Sequence, residues 1–104
     1  MKKIVTERIK STMGGMFYRG ILEDYDTIDE GIIDDIVGVD QNSLLIMREF
    51  CQALLNPQLS HKQREDYWVE AVTAEFAFKS VVIIELCRFI IDEIDKELKR
   101  QRQR

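Results

Sequence analysis

The chain predicts an all-α fold: a compact bundle of four or five helices, with one long C-terminal helix over about 60–100 as its spine. Three observations predict it. The stretch from Ser60 to Arg104 contains no Gly and no Pro, so nothing in it punctuates a helix. Its apolar residues recur three or four apart, the spacing of one helical face. The 104 residues include a single Pro and are 45% hydrophobic and 33% charged, a balance that suits one helical domain over 1–104.

Taken in order, Lys2 to Thr12 reads as a first helix, with Ile4, Val5, Ile9 and Met13 on one side and Lys, Arg and Glu on the other. Gly14-Gly15 ends it. An aromatic segment runs from Met16 through Tyr25 and reads as a short second helix that Gly20 weakens. Thr27 with Glu30 forms a capping-box pattern. A helix from Ile28 to Val37 gathers Ile28, Ile32, Ile33 and Ile36 and turns Asp29, Glu30, Asp34 and Asp35 to solvent, with Gly38 as its C′ residue. Asp40 or Asn42 caps the next helix, Ser43 to Asn56, whose Leu44, Met47, Phe50, Cys51, Leu54 and Leu55 form a broad apolar face. Asn56-Pro57 stops it.

Ser60 with Gln63 repeats the capping-box pattern and starts the spine. Val69, Val72, Phe76, Ile83, Cys87, Ile90, Ile94 and Leu98 share one face of it, and Ser80 continues the stripe. Spacing of i,i+4 predicts ion pairs for Glu75/Lys79, Arg88/Asp92, Asp92/Lys96 and Asp95/Lys99. The spine is read as one helix or two collinear ones. Its last five to seven residues, 99–104 among them, are expected to fray. The β-branched run Val81-Val82-Ile83-Ile84 suits a strand, but the helical pattern continues on both sides of it. Glu85 and Arg88 keep it well short of the roughly 20 apolar residues of a membrane span.

Charge comes in blocks. Residues 1–20 hold five bases against one acid. Residues 21–47 hold eight carboxylates and no base, and the tail holds Lys99, Arg100, Arg102 and Arg104. The net charge of −4 and the absence of a basic face argue against a dedicated nucleic-acid module. A cytoplasmic setting is expected, because Glu7 and Arg8 interrupt any signal-peptide core. Cys51 and Cys87 sit among apolar residues and read as two reduced core thiols.

No motif names an activity. Asp24-x-Asp26 could open a calcium loop, but Ile28 and Asp29 stand where an oxygen ligand and Gly are required. His61 is the only histidine, which leaves no common zinc site. No phosphate loop and no nucleophile elbow is present. No cofactor and no metal is therefore expected.

What stands out is surface. Phe78, Val81, Val82 and Phe89 point away from the main stripe, and a helix apolar on a second side meets something there. Glu85, Arg88 and Asp92 lie among them as a polar seam, and Trp68 joins as a large aromatic of the kind favoured at interface centres. The expected function is a small non-enzymatic interaction or regulatory protein. It would self-associate through the C-terminal helix and dock a basic partner on Asp29, Glu30, Asp34 and Asp35. Two other classes compete. One is a ligand-binding or metal-dependent enzyme with carboxylates such as Glu70, Glu75 and Glu85 on the spine. The other is a nucleic-acid accessory protein that uses the basic termini.

Overall fold

The computed structural model describes residues 4–14, 24–72 and 78–103. Among these the chain is all-helical, with five helices and no strand: α1 (Glu7–Met13), α2 (Ile28–Ile36), α3 (Gln41–Leu54), α4 (His61–Val72) and α5 (Ser80–Arg102). The aromatic segment over 16–25 lies outside the described residues except for Asp24 and Tyr25, as do Glu75 and Phe76 of the expected stripe.

Local chemistry sets most of the helix starts. Thr6 caps α1 by accepting from Ile9 N, so α1 begins at Glu7, and Ile4 and Val5 precede it in a non-helical arm. Thr27 Oγ1 accepts from Glu30 N at 3.2 Å. Asp40 Oδ2 accepts from Ser43 N at 2.9 Å, and Ser43 Oγ returns a bond to Asp40 Oδ1 at 2.8 Å. Ser60 and Gln63 close a full capping box, with Gln63 N to Ser60 Oγ at 3.0 Å and Ser60 N to Gln63 Oε1 at 2.9 Å. Each of these satisfies an amide that the helix itself leaves orphaned. Gly38 follows the C-cap of α2 with φ +83°, the left-handed conformation that ends many helices and that Gly adopts without strain.

The spine is corrected. Phe78 and Lys79 are not helical, and α5 starts afresh at Ser80. Nor are α4 and α5 collinear. In one rod, positions 64 and 80 would lie about 24 Å apart along the axis. Instead Arg64 Nη1 donates to Ser80 Oγ at 2.7 Å, and Ser80 N donates to Glu65 Oε2 at 2.9 Å. The two helices lie side by side. Trp68 meets Phe78 edge to face, with ring centroids 6.4 Å apart and planes at 81°.

The C-terminal helix still organises the core. It packs most extensively on α3 and also receives α2 and α4, while α1 lies across α3 and α4. Ile83, Cys87, Ile90 and Ile94 are fully buried. They meet Leu44, Phe50, Cys51 and Leu54 of α3 and Trp68, Ala71 and Val72 of α4 in one cluster. The radius of gyration, 13.3 Å, matches a compact chain of this length.

Two polar junctions hold the ends of α5. At its start, the buried Arg64 side chain donates to Leu54 O at 2.6 Å, Asn56 O at 3.0 Å and Ser80 Oγ. Leu54 O is a terminal carbonyl of α3, so the guanidinium also answers the negative end of that helix. At the other end, Glu97 is wholly buried and accepts from Gly38 N at 3.2 Å, Arg100 Nε at 2.8 Å and Gln101 Nε2 at 2.9 Å. Gln101 also donates to Val39 O at 2.7 Å. The tail expected to fray is thus helical as far as Arg102 and anchored at Gln101.

Candidate functional site

Helical geometry splits α2 into two unlike sides. At 100° per residue, Asp29, Glu30, Ile33, Asp34 and Val37 fall within one arc, while Ile28, Gly31, Ile32 and Ile36 fall opposite. Gly31, Ile32 and Ile36 are buried against the bundle. On the outer arc, Asp29, Glu30 and Asp34 are exposed, and Ile33 and Val37 lie between them at 37% and 50% exposure. Sequence patterning had placed Ile33 with the core. It sits beyond the edge of the buried stripe instead, because Ile32 and Ile36 already fill the contact with α5.

The carboxylates on this arc keep their charge available. No ion pair among the described residues engages Asp29, Glu30, Asp34 or Asp35. Glu30 Oε2 accepts from Asp26 N at 3.3 Å, which steadies the turn before the helix. The Tyr25 hydroxyl donates to Asp34, and that bond together with the surrounding carboxylates pushes the phenol up to about 12. Tyr25 therefore stays protonated and fixes one edge of the surface. Asp35 departs from expectation. It turns to the margin of the core, where Oδ2 is buried with no hydrogen-bond partner among the described residues. Burial, then the neighbouring Asp34, pushes its pKa up.

The second predicted surface lies on α5. Val82, Glu85, Arg88, Phe89 and Asp92 share one arc opposite the buried stripe, whereas Phe78 precedes the helix and packs on Trp68 instead. Val82 is 37% exposed, Phe78 and Phe89 are half-buried, and Glu85, Arg88 and Asp92 are exposed. Neither Glu85 nor Asp92 pairs with Arg88. Asp92 meets Lys96 at 3.3 Å instead. Asp95 turns away from Lys99 to pair with Arg48 of α3 at 2.8 Å. Trp68 is corrected outright: it has no exposed surface and belongs to the core. Val69, expected in the buried stripe, is 46% exposed, because Trp68, Ala71 and Val72 make the inward side of α4.

Other sequence candidates scatter. His61 is exposed in the first turn of α4. Glu70 lies against Lys10 of α1 at 3.8 Å, and Glu85 is on another helix. No group of three or more His, Cys, Asp or Glu among the described residues is arranged to hold a metal. Cys51 and Cys87 are free and buried, and burial together with the bond between them pushes the Cys51 thiol well up, bonding first. No described helix is long and apolar enough to cross a membrane. Patterning missed the buried Arg64, Glu93 and Glu97, which the charge of their side chains assigned to solvent. No protein-family model, curated protein or solved structure matches the chain.

Proposed function

We propose that this chain is a non-enzymatic interaction protein that receives a basic, partly apolar segment of a partner protein on the outer side of α2. One observation carries the reading: Ile33 and Val37 are exposed among three carboxylates that no cation among the described residues engages. Complementary charge guides such an encounter and sets its register, while the two aliphatic side chains supply the contact that water exclusion strengthens. A segment carrying Lys or Arg on either side of one or two apolar residues fits both. The test is a comparative pull-down from the native host. The bait would be the wild type, Asp29→Lys/Asp34→Lys, or Ile33→Ser, with captured proteins identified by mass spectrometry. A basic partner lost from both variants supports the proposal. Retention of every captured protein by both variants ends it.

A second reading is self-association through α5. Val81 and Val82 favour it, at 60% and 37% exposure in the first turns of that helix. A clean monomer by size-exclusion chromatography with light scattering at tens of micromolar would remove it.

A further inference from the structure

A cleft of about 350 Å³ opens between the N-terminal arm with α1 and one stripe of α3. From α3 come Ile46, Glu49, Phe50 and Ala53, spaced as one helical face, and the arm and α1 add Ile4, Thr6, Arg8 and Ile9. The volume falls at the lower end of the range of small-molecule sites. The walls are aliphatic, and the nearly fully buried Phe50 forms the floor. Ile4, Ile9, Ile46 and Ala53 remain half-buried, because nothing in the described chain covers their cleft side.

The polar groups are few and unequal. The Thr6 hydroxyl is already the cap acceptor of Ile9 N. Glu49 has an interaction of its own. Arg8 is exposed, and no ion pair among the described residues engages its guanidinium. Its neighbour Lys10, by contrast, is bound to Glu7 at 3.6 Å and Glu70 at 3.8 Å. Among the described residues, the cleft thus offers an aliphatic slot with a cation at its edge, Arg8, that no ion pair engages. A guanidinium fork matches a carboxylate with two parallel donors.

We propose that this cleft binds a small aliphatic monocarboxylate, its chain against Ile9, Ile46 and Phe50 and its carboxylate on Arg8. The site is independent of the α2 surface. It is tested by titrating the full chain with octanoate, octanol and octylammonium and following the backbone amides by NMR. Octanoate binding about tenfold tighter than octanol is expected, with the largest shifts in α1 and in 46–53. Arg8→Gln, at an exposed position, should bring octanoate down to the level of octanol. Ala53→Phe, which fills the slot, should remove both. The proposal is overturned by no octanoate binding, by octanol or octylammonium binding as tightly as octanoate, or by shifts centred away from the cleft. An unfolded Ala53→Phe chain would leave the ligand series and Arg8→Gln to decide.

Discussion

Replacing Arg64 by methionine should destabilise the chain by about 3 kcal/mol, and the figure follows from the two buried acceptors left without their donor. Methionine keeps most of the buried stem but donates nothing. Leu54 O, at a buried residue, and the Ser80 hydroxyl, which is 2% exposed, lose a donor. An unsatisfied buried polar group costs roughly 1–3 kcal/mol. Asn56 is exposed, so its carbonyl can turn to water at little cost. Against this loss, the substitution removes a buried charge that no carboxylate among the described residues pairs, which returns part of its desolvation. The net, about 3 kcal/mol, is a large share of the roughly 5–15 kcal/mol of a chain this size. It corresponds to a fall of about 12 °C in Tm. Urea unfolding followed by circular dichroism, with Trp68 fluorescence as a second probe, measures it. Arg64→Lys should recover only part, since one ammonium cannot reach three acceptors spread around a planar fork. A loss under about 0.5 kcal/mol for Arg64→Met would refute the view that this guanidinium joins the end of α3 to the start of α5.

Two further outcomes concern carboxylates with opposite shifts. Three donors hold Glu97 down at about 2, Gln101 contributing most and Arg100 next. Its stabilisation is therefore complete above its ordinary value and is lost as pH falls from there towards 2. Urea midpoints of Glu97→Gln should fall below the wild type at neutral pH and converge with it in strong acid; parallel curves would contradict the assignment. Asp35 is shifted upward, by burial first and Asp34 second, so its ionised form costs stability at neutral pH and the cost fades as pH drops through the carboxylate range. Asp35→Asn should raise the Tm at neutral pH and lose that advantage in acid; a lower Tm throughout would count against it.

Much of the fold was legible because several helix starts are written locally. Thr27, Asp40 and Ser60 each stand three residues before the amide they cap. The stripe Ile83, Cys87, Ile90, Ile94 and Leu98 announces the buried side of α5 by spacing alone. The break before Ser80 was not legible, because neither Gly nor Pro marks it. Its cap comes from Glu65, fifteen residues away in sequence, and such an acceptor is visible only once α4 and α5 lie together. Arg64 and Glu97 were hidden for a related reason. A charge at a helix position reads as solvent-facing until its buried partners are known. The acidic surface was half legible: the run of carboxylates was plain, but Asp35 and Ile33 exchange the sides expected of them.

The borrowed cap on α5 ties the order of assembly to the pairing of two helices. The leading amide of α5 has no acceptor within its own segment and gains one only when α4 is docked beside it. An isolated peptide covering 80–103 would begin with a loose first turn, since early amides without acceptors fray. In the whole chain, that turn and the facing stretch of α4 form one cooperative unit, so their amides should open to exchange with solvent together.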